Sequence, residues 1–251
     1  MIPFAPALAN NAPRAPKTWQ DMPAGAQLKA LLEADLAPLS RQWFGYHLVK
    51  MGALGAELSL PECPIKKQTA ITAQPHPYGD MVSQLNNLPL QRRSVDAIVL
   101  PFTLDFCQDP HKLLRDVSRA IMADGHLVVL GLNPFSCAGF AKYWPFKPDS
   151  LLHEMRAFST FRMRDWFNLL GYEVIEHHSM IHSELLFERK MNINSGYQRW
   201  MGRYLPGLAS VYVMVGRKRR IPMTPNKAML KPKPAFAASG AGLRAGRWSN
   251  S

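Results

Sequence analysis

LPLQRRSVDAIVLPFTLDFCQDPHKLLRDVSRAIMADGHLVVLGLNPFS, residues 88–136, decides the fold. Ser94-Val95-Asp96 leads into Ala97-Ile98-Val99-Leu100, a short apolar run of the kind buried inside a parallel sheet. Pro101 closes it, because proline cannot donate to a strand ladder. Asp109-Pro110 opens a helix, with an acid at the cap and proline at the first helical position. Leu113, Leu114, Val117 and Ile121 follow at helical spacing, so one face packs on a sheet. Asp124-Gly125 stops the helix, and His126-Leu127-Val128-Val129-Leu130 begins the next strand. Strand, crossover helix and strand make a βαβ unit, the hallmark of an α/β protein.

Composition agrees with that class. The chain has 251 residues, 47% of them hydrophobic, enough for one α/β domain with extensions. No apolar run approaches the length needed to span a bilayer, so no integral membrane association is expected. The opening MIPFAPALANNAPRAP lacks a basic start followed by an apolar core, so no secretory leader is expected either. Cys63, Cys107 and Cys137 are scattered, without a CxxC or paired histidines. Neither a metal site nor a disulfide framework is expected, and a cytoplasmic location fits.

The stretch resembles the second half of a class I S-adenosylmethionine (SAM)-dependent methyltransferase of the type 11 kind. In that family an "LPF…SFD" lead-in precedes strand 4, and "DP…LL.E..R.L..GG.LV" carries a helix into strand 5. Here these are Leu88-Pro89-Leu90, Ser94-Val95-Asp96, Asp109-Pro110, Leu113-Leu114-Arg115-Asp116, Arg119 and Asp124-Gly125-His126-Leu127-Val128. The order and spacing match over roughly fifty residues. The continuation Gly131-Leu132-Asn133-Pro134-Phe135-Ser136 is similar to a small group of uncharacterised bacterial methyltransferase-like proteins with a basic tail. The resemblance implies a Rossmann-like, seven-stranded, mostly parallel sheet with flanking helices. It also implies SAM as cofactor and methyl transfer as the activity. Strands are expected to start near His47, Ile65, Ser94, His126, Glu173 and Val211.

Three regions are expected: a loose Pro- and Ala-rich arm over residues 1–23, a methyltransferase-like domain over 24–216, and a disordered basic tail over 217–251. Residues 24–42 read as helix, with Pro38 able to divide it in two. His47-Leu48-Val49-Lys50-Met51 reads as the first strand, followed by Gly52-Ala53-Leu54-Gly55. Such a turn is either an ordinary tight turn or, by the resemblance, the loop that approaches the methionine part of SAM. Gly52, Ala53 and Gly55 are its candidate cofactor residues.

The second strand departs from the family pattern. The resemblance places there an acid that accepts both ribose hydroxyls; this chain has Gln74. The acid that often precedes the adenine-contacting residue is replaced by Gln84, followed by Leu85. Either SAM is held by amides and backbone, or its binding has weakened. Phe102, just beyond the fourth strand, covers the cofactor or fills core beneath the helix. Asp105 orients or deprotonates the acceptor, or is a solvated loop acid.

Asn133-Pro134-Phe135 resembles the (D/N)PP(Y/F) motif of amino-methyltransferases, yet follows the wrong strand and has one proline, so it reads as a structural turn. Residues 137–158 form an insertion rich in aromatics, either a substrate lid or a cover for the sheet. Ser159 or Thr160 caps the next helix, and Gly171-Tyr172 ends it. His177, His178 and His182 lack metal-ligand partners and read as exposed strand-end residues.

The net charge of +12 is unevenly spread. After Glu188 there are 13 Lys or Arg and no acid, while the preceding chain holds 17 basic and 18 acidic residues. A tail of this kind suits RNA or another polyanion, or merely aids solubility. Two functions are therefore in view. One is a SAM-dependent methyltransferase with an unidentified acceptor. The other is a non-catalytic methyltransferase-fold binding protein with a decayed cofactor site, acting through its tail.

Overall fold

Seven strands form one sheet: β1 (His47–Met51), β2 (Lys67–Thr72), β3 (Met81–Val82), β4 (Val95–Pro101), β5 (Ile121–Leu132), β6 (Tyr172–Met180) and β7 (Val211–Lys218). The computed structural model describes residues 13–85, 87–136, 155–181 and 209–219. Strand order is β3-β2-β1-β4-β5-β7-β6. The first five strands run parallel, and β7 is antiparallel to both β5 and β6. Ala97 to Leu100 pair with His126 to Val129 in register, so the two strands expected to be parallel neighbours are so.

The alternation of side chains builds the layers. Ala97, Val99, Val128 and Leu130 face a core shared with Leu28, Leu32 and Leu36 of α1 (Gly25–Ser40). Ile98, Leu100, Leu127 and Val129 face the opposite core. There they meet Leu113, Leu114 and Val117 of α3 (Pro110–Ala120), and Met163 and Phe167 of α4 (Thr160–Leu169). A sheet covered on both faces explains why β4 and β5 are apolar at successive positions. Each fully buried leucine stabilises the fold by about 1.5–3 kcal/mol relative to exposure. The short α2 (Ala53–Glu57) follows β1 directly.

Local signals act as expected at α3 and α4. The Asp109 carboxylate accepts from Lys112 N at 2.9 Å, and Ser159 Oγ accepts from Arg162 N at 3.3 Å. Asn133 holds a structural turn, donating to Ala209 O at 3.0 Å and accepting from Phe135 N at 3.1 Å. Elsewhere the structure differs from the sequence reading. Ile121 lies in β5 and not on α3, because Arg93 N and Ser94 N take the last helical carbonyls, those of Arg119 and Ala120, placing Ile121 opposite Val95. β5 thus starts earlier than His126, and the Asp124-Gly125 turn becomes an irregularity within it. α1 is a single helix containing Pro38, which sits in its last turn, where the backbone bond it forfeits costs little continuity. His178 is no bare strand-end residue: its Nδ1 lies 2.9 Å from the Asp35 carboxylate of α1.

Both domain boundaries also move. The described part of the N-terminal arm packs on the body, with Trp19 and Met22 buried in the core. A 3₁₀ turn (Trp19–Asp21) is fastened by the Asp21 carboxylate, which accepts from Lys17 N at 2.8 Å and Thr18 N at 3.1 Å. Residues 13–23 are therefore a strap and not a loose arm. At the other end β7 continues through Lys218. Lys218 Nζ donates to the carbonyls of Ser118 and Ile121, and Arg217 pairs with Asp124 at 3.2 Å. These cations belong to the fold because they donate to carbonyls and pair with an acid at the α3–β5 junction. The chain separates into a compact unit, Met1–Arg220, and a second, Ile221–Ser251. The remaining tail, residues 137–154 of the aromatic insertion, and His182 lie outside the described residues. No helix among the described residues is long and apolar enough to cross a membrane.

Candidate cofactor site

The turn after β1 is set by Gly52, whose φ of +83° is a conformation that side chains rarely adopt. Its N–H donates to Ile71 O of β2 at 2.8 Å, and its carbonyl accepts from Ala56 N as α2 begins. A Cβ at Gly52 would stand 3.3 Å from Thr103 Oγ1. That hydroxyl donates to Met51 O at 3.0 Å, tying the end of β4 to the end of β1. Phe102 also has a positive φ, +52°, while its N–H donates to Leu130 O at 2.8 Å. Backbone strain of this sort persists only where neighbours enforce it, and it collects at ligand sites.

A cavity of about 500 Å³ opens at the C-terminal ends of β1, β2 and β4. In open α/β sheets this is where ligands bind. Of the expected cofactor residues, Gly52, Ala53, Gln74, Gln84, Leu85 and Phe102 all line it. Gly55 does not; a Cβ there would come within 3.3 Å of Lys50 C and 3.4 Å of Pro101 Cδ, so this glycine seats α2 against the strand ends.

The strap supplies a wall that sequence reasoning missed. Pro13, Arg14, Ala15, Pro16 and Lys17 line the cavity. Trp19 anchors them, its Nε1 donating to Leu54 O at 3.0 Å and its ring meeting Phe102 edge-on at 6.0 Å. The one signal available was Trp19 itself, a large apolar ring in an otherwise polar and Pro-rich stretch. Thr103, His76 and Cys107 also line the cavity. The His76 ring accepts from Tyr78 N at Nδ1 (3.2 Å), so Nε2 carries the proton toward Glu57, 3.3 Å away. Burial pushes the Cys107 thiol up to about 11, leaving it protonated and unreactive at neutral pH.

Asp105 is the site residue whose place differs most from expectation. It is absent from the cavity lining and only 1% exposed. The loop after β4 folds back to the end of β5, where Leu132 N donates to Asp105 Oδ2 at 3.2 Å. Burial raises its pKa well above the ordinary carboxylate value, which favours the protonated form. Its Oδ1 and the nearby Tyr212 hydroxyl have no hydrogen-bond partner among the described residues, and burial likewise pushes the phenol up. Asp105 is thus neither solvated nor part of the cavity lining.

Among the described residues no Asp or Glu lines the cavity, which carries the cations Arg14 and Lys17. Its remaining donor set suits SAM. Gly52 presents bare backbone, Leu85 presents apolar surface, Phe102 stands fully buried in the wall, and the amides of Gln74 and Gln84 can each donate and accept. Among the described residues no cluster of His, Cys, Asp or Glu could hold a metal ion.

Comparison with known proteins agrees with this geometry. A methyltransferase domain family model matches residues 51–129. Uncharacterized protein YafS of Escherichia coli (strain K12) is 34% identical over 212 residues, covering 84% of this chain and 85% of the relative. A demethylmenaquinone methyltransferase of Chlamydia pneumoniae is 38% identical over 52 residues, 21% of this chain and 23% of that one. A SAM-dependent methyltransferase from Archaeoglobus fulgidus superposes with a TM-score of 0.53 at 12% identity, covering 76% of this chain and 94% of that one. Another from Thermotoga maritima, described as a possible histamine N-methyltransferase, gives 0.50 at 20% identity, covering 80% and 99%. At these identities the structures establish the fold. With YafS matched along most of both chains, the protein belongs to the family of YafS, and its glycine turn and βαβ unit match the methyltransferase domain family model.

Proposed function

We propose that the protein transfers the methyl group of SAM to an acceptor admitted at the open side of this cavity. The observation that carries the reading is the cavity itself, with the bare backbone of Gly52 at one end and Leu85 at another. Bound SAM supplies a methyl group already activated on a sulfonium. The chain's own residues have simpler tasks. Gly52 and Ala53 pass beneath the methionine end, Gln74 faces the ribose hydroxyls, and Gln84 and Leu85 flank the adenine. Phe102 forms an apolar floor that excludes water, and Thr103 holds the floor to β1.

Such a transfer draws its rate from alignment and desolvation, so it needs no side-chain base. That is consistent with an Asp105 buried outside the cavity lining. A decayed, non-catalytic site is not favoured, because among the described residues the cavity stays open beside the Gly52 turn. Calorimetry on the full-length protein tests the reading. Saturable binding of one SAM per chain is expected, with labelled methyl passing from SAM to a component of a bacterial extract. A protein that binds neither SAM nor S-adenosylhomocysteine at millimolar concentration would sink it.

A further inference from the structure

We infer that the N-terminal ends of β2, β1 and β4 form a docking surface for single-stranded nucleic acid, with Phe44 and Tyr46 stacking on bases and Lys66, Lys67, Arg92 and Arg93 meeting phosphates. The surface lies at the end of the strands opposite the cavity, so it does not depend on the SAM reading. Strand pairing sets its order. His47 of β1 lies opposite Lys67 of β2, and Leu48 lies opposite Ala97 of β4. The loop before β1, which carries Phe44 and Tyr46, is therefore flanked by Lys66 and Lys67 on one side and by Arg92 and Arg93 on the other. With neighbouring strands roughly 4.8 Å apart, the two cation pairs stand about 10 Å from each other, with the rings between them.

Three observations carry the inference. First, the rings are both offered and held. Phe44 is 76% exposed and Tyr46 84%. Their loop is clamped all the same: Tyr46 N and His47 N donate to Asp96 Oδ2 at 2.7 and 2.9 Å, and any side chain at Gly45, between the two rings, would run into Asp96. Large rings kept in water by a fixed loop suit a planar partner that stacks on them. Second, the charge is uncompensated. Lys66, Lys67, Arg92 and Arg93 are exposed, and none pairs with an acid among the described residues. The neighbouring acids are committed: Asp96 to the loop amides, Glu62 to Arg41 at 2.8 Å and Asp124 to Arg217 at 3.2 Å. Third, the sign of the charge selects the occupant. The segment beyond residue 220 is itself cationic and acid-free, and a second copy meeting this face with its own brings the same charge. A polyanion fits where both of these are repelled. Two rings set singly in a row of cations suit separate bases, not the broad apolar face that inserts among acyl chains.

Fluorescence anisotropy with labelled oligouridine and oligothymidine tests the surface on the full-length protein. F44A/Y46A should weaken oligonucleotide binding roughly tenfold or more, the usual worth of a stacked base. It should elute from heparin, which has no bases, as wild type does. R92A/R93A should weaken both oligonucleotide binding and heparin retention, and flatten the salt dependence. Loss for either oligomer supports the surface, and the one bound more tightly by wild type names the sugar. Unchanged oligonucleotide affinity in both variants overturns it. So does a loss confined to vesicles of phosphatidylglycerol, which would make the face a membrane contact.

A measurement on wild type alone guards against a variant that folds poorly. Oligouridine carrying 4-thiouridine should photo-crosslink to the tryptic peptide that spans residues 42–50 and holds both rings. Crosslinks confined to peptides beyond residue 220 would overturn the surface.

Discussion

At Gly52 the backbone leaves no room for choice. A side chain there would have to tolerate φ of +83° and stand 3.3 Å from Thr103 Oγ1, with its branches in the space given to the ligand. Gly52→Val should cost about 1–3 kcal/mol of stability through strain and remove SAM binding. Unchanged calorimetric binding in a folded variant would show that the ligand does not cross this turn. Asp105 makes a different prediction, one of sign. Its folded pKa lies well above the unfolded value of about 3.9. Between those values the folded state keeps a proton that the unfolded state has released, so stability falls as pH rises through the window. Asp105→Asn removes this loss and can still accept from Leu132 N. Its melting temperature should exceed that of wild type by more at pH 8 than at pH 5. A pH-independent difference would mean that Asp105 is ionised in the fold.

The elements differ in how plainly the sequence announces them, and the physics says why. α3 is legible because Asp109, Pro110 and the Leu113, Leu114, Val117 spacing are local signals that tertiary packing then exploits. β3 was invisible because two exposed residues, Met81 and Val82, cannot display an alternation. The strap was misread because its order comes from contacts remote in sequence: Trp19 meets Leu54 and Phe102, neither within thirty residues. The same holds for the cofactor site. Six residues that the resemblance singled out line the cavity, whereas the places of Arg14, Lys17 and Thr103 depend on how the strap and the β4 loop fold back. Trp19 separates packing from hydrogen bonding. Trp19→Phe keeps a ring against Phe102 but loses the bond to Leu54 O, and should cost about 1 kcal/mol. Trp19→Ala should cost about 3–5 kcal/mol and loosen the cavity wall. Comparable, small losses in the two variants by denaturant titration would mean that the strap is not part of the cooperative unit.

For the whole molecule, charge and fold part company later than composition implied. Nine Lys or Arg lie from Arg217 onward, but Arg217 and Lys218 hold β7 to the α3–β5 junction. The acid-free segment beyond the compact unit keeps five: Lys227, Lys231, Lys233, Arg244 and Arg247. Truncation after Arg220 should leave the melting temperature nearly unchanged and reduce retention on heparin at low salt, where phosphate- or sulfate-like charge alone is read. Truncation after Gly216 should lower the melting temperature, since it removes the end of a strand. Equal retention of the shorter protein would place any polyanion-binding surface within residues 1–220.

The placing of β7 bears on how the protein is made. The last described strand lies inside the sheet, between β5 and β6, and not at an edge. β5 ends at Leu132 and β7 begins at Val211. At about 5–20 residues per second, the nascent chain holds the β5 edge open for on the order of 4–16 s. Throughout that interval β6 has no neighbour to pair with. Five parallel strands can assemble early, but the sheet closes only when nearly the whole body has been synthesised. The vulnerable species during synthesis is therefore one with a bare, apolar β5 flank, open to pairing with another chain. A stop codon or stall before Val211 would make that species permanent.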